Sequence, residues 1–318
     1  MSRILTIGKA TQDVFLSGQV FAAHREKGIF YQHLQLGSKL ELGNVIFSTG
    51  GNATNAATTF ARQGLDASYM WVLGTEIASQ AIMQTLDAEN VDLSAVVQDD
   101  GYRASYSSVL LAPDGERTIL NYHGTMVPVS GFPLDLERIG RNDWLYVSSL
   151  GTMGLLENVV TRAHKAGVKV AMNPAGSELA HPKSLIPILH DVSILSVNKE
   201  EAQLLVEGKT AEELARRLTA ICPTVIVSDG PRGSVATDGK QIVLAGMYQD
   251  VPVIDRTGAG DAFASGFVTK VIQGASLEEA VVFASANSTS VVQKIGAKDG
   301  ILHRGTHLHD MPLTVKAF

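Results

Sequence analysis

The 318-residue sequence predicts an α/β fold with a mainly parallel central sheet, flanking helices and a small β-sheet lid. Short apolar runs alternate with helix-like segments along most of the chain, as in the strand–helix–strand units of parallel sheets. Two polar, strand-rich stretches interrupt that alternation. Glycine-rich segments follow several of the predicted strands, which is where the ligand sites of parallel sheets form.

The composition excludes several classes of protein. The chain carries 26 Lys and Arg against 32 Asp and Glu, a net charge of −6, without a basic block, so we expect no nucleic-acid partner. No apolar run approaches the ~18 residues of a membrane span, and the N-terminal residues do not resemble a signal peptide. Cys222 is the single cysteine, which favours a reducing compartment and a buried thiol. We therefore expect a cytoplasmic protein.

The first half of the chain contains predicted strands, helices and a hairpin. Residues 4–7 form an apolar run that ends at Gly8, as expected of a buried first strand. Residues 52–64 predict a helix that opens on a double glycine, because a cap-type residue starts the segment and glycine ends it. The other predicted elements are a strand at 69–73, a helix at 77–89, and strands at 102–111 and 117–122. The turn residues 113–116 suit a tight reversal between the last two strands.

In the second half the strand–helix alternation resumes. The predicted strands are 144–148, 168–172, 194–197 and 225–227, and the predicted helices include a segment ending at 166, 199–205 and 211–221. The sequence contains no linker or repeat, so residues 1–318 are predicted to be a single domain. The polar interruptions, at about 12–48 and 101–127, are predicted to form a lid inserted into this domain.

Residues 255–267 carry the most informative pattern, Asp-Arg-Thr-Gly-Ala-Gly-Asp-Ala-Phe-Ala-Ser-Gly-Phe. Glycines allow backbone amides to approach an anion, and a following helix N-terminus adds unpaired N–H groups, so Gly258 to Gly260 suit a transferring phosphoryl group. Asp261 would lie in the first helical turn, where a carboxylate can take a proton from an attacking hydroxyl. The alternative is an ordinary glycine turn followed by an aspartate cap.

Two segments resemble the signatures of one enzyme family. Residues 255–267 match the second signature of the ribokinase-like (PfkB-type) carbohydrate kinases, and residues 48–57, Ser-Thr-Gly-Gly-Asn-Ala-Thr-Asn-Ala-Ala, resemble the first. The resemblance extends to residues 8–13, 198–201 and 228–233. It implies a ribokinase-like three-layer fold and ATP-dependent phosphorylation of a hydroxyl on a small sugar.

The resemblance also implies roles for individual residues. Asp261 corresponds to the catalytic base, and the anion hole is formed by Gly258, Ala259 and Gly260. The positions that hold substrate hydroxyls are Asp13, Gly50, Gly51 and Asn55.

The resemblance also implies which residues bind the nucleotide and its cations. The positions implied to bind ATP are Asn198, Ser228, Gly230, Gly233 and Asn287. Asn198 and Glu201 would organise magnesium through water, although the same spacing is typical of a helix capping box. Asp255 corresponds to a monovalent-cation site in potassium-dependent members, and a strand-end cap is the competing interpretation.

Other positions depart from the better-known members and leave the substrate open. Asn52 replaces a lysine of typical ribokinases, Arg256 replaces a frequent threonine, and Leu150-Gly151 stands near the usual position of a ribose-contacting glutamate. A nucleoside kinase of the adenosine, inosine or cytidine type is therefore an alternative, and a non-catalytic ligand sensor is a more distant one. Because an exposed lid edge would tend to associate, we also expect a homodimer.

Overall fold

The structure is a computed structural model that describes residues 1–114, 116–125, 133–148, 150–248 and 251–318. Its strands are β1 (Arg3–Ile7), β2 (Thr11–Ser17), β3 (Ala23–Glu26), β4 (Ile29–Gln32), β5 (Asn44–Gly50), β6 (Asp66–Met70), β7 (Val72–Leu73), β8 (Val97–Gln98), β9 (Ser105–Leu111), β10 (Arg117–Tyr122), β11 (Trp144–Val147), β12 (Lys169–Met172), β13 (Ile194–Asn198), β14 (Thr224–Ser228), β15 (Ser234–Thr237), β16 (Gln241–Ala245) and β17 (Leu313–Ala317). Its α-helices are α1 (Asn52–Arg62), α2 (Ile77–Ala88), α3 (Met153–Lys165), α4 (Gly176–Leu179), α5 (Pro182–Leu189), α6 (Lys199–Leu205), α7 (Ala211–Leu218), α8 (Ala259–Ile272) and α9 (Leu277–Val291).

A nine-stranded sheet forms the centre of the described part of the chain, in the order β17-β16-β15-β14-β13-β12-β11-β1-β6. Neighbouring strands from β14 through β6 in this order are parallel. The three strands β15, β16 and β17 continue the sheet in antiparallel fashion. The predicted mainly parallel sheet is confirmed, whereas the antiparallel edge lies outside the predicted elements.

Both faces of the central sheet are covered. Strands such as β11 and the central part of β14 are fully buried, which explains why the sequence shows them as continuous apolar runs. One hydrophobic cluster packs residues of α1, α8 and α9 against the sheet, including Phe60, Phe267 and Ala284. A second cluster on the other face includes Ile82, Leu156 and Leu214. The predicted three-layer arrangement is therefore present.

A four-stranded sheet in the order β10-β9-β2-β5 lies beside the central one. It is formed from the two polar interruptions of the sequence, and β2 pairs with β9 in parallel and with β5 in antiparallel register. Several apolar side chains of this region are exposed, among them Phe30, Phe47 and Leu120. Residues 126 and 127 of the predicted lid, and Gly115 of the predicted turn, lie outside the described residues. The function of this sheet as a lid remains a prediction.

The loop after α9 is fastened to the end of α1 by Arg62. Its Nη1 donates to the carbonyl oxygens of Lys298, at 2.9 Å, and Ile301, at 2.7 Å. Its Nε donates to Glu89 Oε2 at 2.8 Å, and both side chains of this ion pair are largely buried. A largely buried arginine that makes several hydrogen bonds of this kind fixes the loop relative to the helix.

The structure bears on the state of Cys222 and on the presence of membrane-spanning helices. Cys222 is buried as predicted, and burial raises the pKa of its thiol to about 12. Among the described residues, no helix combines the length and apolarity needed to cross a membrane.

The Arg62–Glu89 pair should contribute strongly to stability. Arg62→Met leaves a half-buried carboxylate and two loop carbonyls without their donor, so we expect the free energy of unfolding to fall by about 3 kcal/mol. Arg216→Met is the control, because the Arg216–Glu212 pair is more exposed and should contribute less than about 1 kcal/mol. Urea denaturation measures both, and equal losses in the two variants would contradict the structural role given to Arg62.

Candidate active site

The first turn of α8 presents backbone amides at the end of a glycine turn. Gly258 precedes the helix with a left-handed φ of 76°, and a Cβ at this position would overlap Ala297. Among the described residues, the amides of Gly260 and Asp261 have no hydrogen-bond acceptor. A helix N-terminus with unpaired amides attracts anions. The Ala259 amide donates to the Arg256 carbonyl at 3.3 Å, so within the predicted anion hole of Gly258, Ala259 and Gly260 the Gly260 amide is free, and the role of these residues stays a prediction.

Asp261 lies in this first turn and is held by a residue of α1. Asn55 Nδ2 donates to Asp261 Oδ2 at 2.8 Å, whereas Oδ1 has no hydrogen-bond partner among the described residues. Burial raises the pKa of Asp261 to about 6, against the opposing effects of the Asn55 hydrogen bond and the Lys298 charge. The carboxyl therefore has one fixed oxygen and one oxygen free to accept a proton near neutral pH.

A polar cluster surrounds the start of α1. Asp13 on β2 lies directly against Gly50, since a Cβ on that glycine would overlap its carboxylate. Gly51 has a φ of 99°, and a Cβ there would lie 2.6 Å from the carbonyl oxygen of Lys9. Asn55 Oδ1 is buried and has no partner. The four predicted substrate positions thus lie together, with an unsatisfied acceptor among them.

A cavity of about 160 Å³ lies on the other side of the α8 N-terminus. Its lining comprises Ser228, Gly230, Gly233, Ser234, Gly246, Met247, Ala259, Gly260, Phe263, Ser285 and Ser288. Three of the predicted ATP-binding residues therefore share one cavity with two residues of the predicted anion hole. A phosphate chain lying in this cavity would meet the amides at the start of α8.

Asn198 and Glu201 form a reciprocal capping box at the start of α6. Asn198 Oδ1 accepts from the Glu201 amide at 2.8 Å, and Glu201 Oε2 accepts from the Asn198 amide at 2.9 Å. The remaining atoms, Asn198 Nδ2 and Glu201 Oε1, have no partner among the described residues. Burial raises the pKa of Glu201, and its charge in turn raises the pKa of Asp261. The free carboxylate oxygen suits magnesium-bound water, so the capping and metal interpretations are compatible.

Asp255 is buried and closes the loop before the anion hole. Its Oδ1 accepts from the amide and the hydroxyl of Thr257, at 3.0 and 2.7 Å, and its Oδ2 accepts from the amide of Gly296 at 3.0 Å. These bonds correspond to the cap interpretation, and lone pairs remain on the carboxylate for a monovalent cation. The neighbouring Arg256 is exposed.

Asn287 is predicted to bind ATP but, like Asn198, is not among the residues that line this cavity. Its side chain is fully buried, its Nδ2 donates to the Ala262 carbonyl at 2.8 Å, and its Oδ1 accepts from the Leu302 amide at 2.9 Å. Helix α9 instead lines the cavity with Ser285 and Ser288. Asn287 thus connects α8, α9 and the following loop, and the cavity does not include it.

Lys298 belongs to the site but was not among the predicted residues. Its side chain is buried, and its Nζ donates to the Thr49 carbonyl at 2.7 Å and to Thr54 Oγ1 at 3.1 Å. Burial lowers the pKa of this ammonium to about 7. The sequence signal was slight, since a lysine two residues after Gly296 in a polar loop is usually solvated.

Comparison with known proteins identifies the chain's relatives. A ribokinase of Haemophilus influenzae is 26% identical over 274 residues, covering 83% of this chain and 88% of the relative. The solved structure of Arabidopsis thaliana ribokinase complexed with ribose and ATP superimposes with a TM-score of 0.79 at 23% identity, over 95% of this chain and 96% of that one. Adenosine kinase from Sinorhizobium meliloti superimposes with a TM-score of 0.75 at 21% identity, over 93% and 95%.

The solved structures confirm the predicted ribokinase-like fold. The family model described as "pfkB family carbohydrate kinase" matches residues 26–304, which is most of the chain and includes both glycine-rich signatures. The chain therefore belongs to the pfkB family of carbohydrate kinases.

Proposed function

We propose that the protein transfers the γ-phosphoryl group of ATP to a hydroxyl of a small sugar, with Asp261 as general base. The observation that carries this proposal is the position of Asp261, between the nucleotide cavity and the polar cluster around Asn55. A base must lie within reach of both the attacking hydroxyl and the phosphoryl group that it attacks. The start of α8 satisfies both conditions.

Each group of residues has a separate role in the proposed reaction. Asp13, Asn55 and the backbone of Gly50 and Gly51 orient the substrate hydroxyls, which lowers the entropic part of the barrier. The free oxygen of Asp261 then takes the proton of the attacking hydroxyl. The unpaired amides at the start of α8 stabilise the charge on the moving phosphoryl group. Closure of the small sheet over the substrate would exclude water.

Two cations are part of the proposal. Asn198 and Glu201 would hold magnesium through its water molecules, and that ion neutralises charge on the phosphate oxygens. Asp255 would contribute to a potassium site next to the anion hole. In both cases the protein supplies oxygen ligands that already lie in ordered backbone turns.

A nucleoside is the second candidate substrate. The adenosine kinase named above shares the fold, and exposed rings lie on the small sheet and on the separate β3–β4 hairpin: Phe30 and Tyr31 on β4 and Phe47 on β5 are 62%, 43% and 69% exposed. Such rings could stack on a base once the sheet closes. The hydrogen-bonding groups around Asn55 suit the hydroxyls of a free sugar and those of a nucleoside's ribose alike, and the family described above makes a sugar the first candidate. A non-catalytic sensor is disfavoured because the base and the anion hole are both present.

Replacement of the base should abolish turnover without loss of folding. We expect Asp261→Asn to lower kcat by about three orders of magnitude, because an amide cannot accept the hydroxyl proton. ADP release with ATP, magnesium and potassium is measured against pentoses, hexoses, sugar phosphates and nucleosides. The exposed Asp310→Asn is the control and should match the wild type. An active Asp261→Asn enzyme would refute the role of this residue.

The activity should depend on pH through the same carboxyl. Burial raises the pKa of Asp261 to about 6, so the ionised base is lost as the pH falls through this value. We expect kcat/KM to decline on the acid side with a midpoint near 6 and a limiting slope of about tenfold per pH unit. A profile that is flat down to the pKa of an ordinary aspartate would contradict this assignment.

We also propose that two copies pair through their small sheets. Phe47 on β5 and Leu120 on β10 are 69% and 56% exposed on the two edge strands of this sheet, and burying such residues favours association. Phe47→Asp and Leu120→Asp should therefore convert a homodimer to a monomer in sedimentation experiments. Leu204→Asp, at a residue of α6 that is 55% exposed, is the matched control. A monomeric wild-type protein would exclude the pairing.

A further inference from the structure

Lys298 is a buried cation whose purpose the proposed reaction leaves unexplained. It is 3% exposed, and no carboxylate of the described residues lies within ion-pair distance of its Nζ. An ammonium group removed from water without a paired anion costs several kcal/mol. A buried ionisable group with a strongly shifted pKa beside a polar cleft is a candidate for a functional role.

The ammonium lies directly behind the double-glycine turn. Its two acceptors are the Thr49 carbonyl at the end of β5 and the Thr54 hydroxyl in the first part of α1, on either side of Gly50 and Gly51. The hydroxyl of Thr54 in turn donates to the Gly50 carbonyl at 2.6 Å. Arg62 holds the Lys298 backbone at the other end of α1. The position of the charge is therefore fixed at both ends of the side chain.

Several charged groups surround this ammonium. Asp13 from β2, Asp261 from α8 and Glu89 after α2 raise its pKa, and Arg62 from α1 lowers it. The more distant charges around the same site are those of Asp255, which acts on Asp13, and Glu201, which acts on Asp261. In the reverse direction, the Lys298 charge lowers the pKa of both Asp13 and Asp261. The geometry agrees, because Lys298 binds the turn around Gly50 and the start of α1, against which the Asp13 carboxylate packs and from which Asn55 donates to Asp261.

We propose that Lys298 is a positioning residue that keeps Asp13 and Asp261 ionised from behind the double-glycine turn. The proposal rests on the proposed role of Asp261 as general base. The alternative is that Lys298 serves only as a hydrogen-bond donor that joins β5 to α1. Glutamine separates the two possibilities, because its amide can still donate a hydrogen bond but carries no charge.

The test compares the pH profiles of kcat/KM for the wild type, Lys298→Gln and Lys298→Met. Without the positive charge the pKa of Asp261 should rise, so both variants should lose about tenfold in kcat/KM on the acid side of the profile. On the alkaline side the wild-type Lys298 has itself lost its proton, since its pKa is about 7, and the three enzymes should converge to within about threefold. The KM for the acceptor should rise at acid pH in both variants as Asp13 becomes protonated.

Two results would overturn the proposal for Lys298. If Lys298→Gln has the wild-type profile and only Lys298→Met is impaired, the hydrogen bonds suffice and the proposal is wrong. An equal loss at all pH values, with no shift of the acid midpoint, would also overturn it. A thermal melt of each variant shows whether a loss of activity reflects unfolding.

A second measurement does not require a folded Lys298 variant. Carbon-13 NMR of the lysine Cε groups follows Lys298 in the wild type as the resonance that titrates near neutral pH. In Asp261→Asn the pKa of Lys298 should fall, because the Asp261 charge raises it in the wild type. An unchanged midpoint would show that the two groups are not coupled.

Different results would refute the proposed base Asp261 and the proposed role of Lys298. If Asp261→Asn remains active, the proposed base is wrong whatever Lys298 does. If Asp261→Asn is inactive but Lys298→Gln titrates like the wild type, the base stands and only the function of Lys298 is refuted.

Discussion

The hydrogen bond from Asn55 to Asp261 joins the first turns of two helices whose residues are 206 positions apart in sequence. Each helix begins after a glycine with positive φ, Gly51 before α1 and Gly258 before α8, and neither turn has room for a Cβ. This close approach brings the polar cluster around Asn55 next to the cavity at the start of α8. The central sheet makes this meeting possible, because both helices pack on the same face of it.

The site concentrates negative charge in a small volume. Asp13 and Asp255 are buried, Asp261 has a pKa raised by burial, and Glu201 adds a further charge nearby. Asp255 raises the pKa of Asp13 and Glu201 raises the pKa of Asp261, as expected of like charges that share a site. Backbone amides satisfy Asp255, and the amide of Asn55 satisfies one oxygen of Asp261, but neither supplies a positive charge. Lys298 is the buried cation that acts on this group among the described residues.

Much of the fold and part of the site could be predicted from the sequence. Parallel strands buried on both faces appear as continuous apolar runs, and Gly258 and Asp261 lie in a glycine-rich pattern that indicates an anion site at a helix start. The antiparallel strands β15 to β17 were not predicted, since strands of four or five residues are too short to show a distinctive period. Asn287 and Lys298 show most clearly where prediction from the sequence fails. Whether a polar side chain faces a ligand cavity or the protein interior depends on tertiary contacts, which a single sequence does not contain.

The bond from Arg62 to the Lys298 carbonyl spans 236 positions of the chain. Contacts of such sequence separation are slow to form, because closing the long intervening loop costs conformational entropy before the contact stabilises the chain. The loop that completes the phosphotransfer site is therefore expected to dock late in folding. Under the proposed mechanism, a chain in which this loop has not docked would lack part of the active site, so activity is expected only when folding is nearly complete.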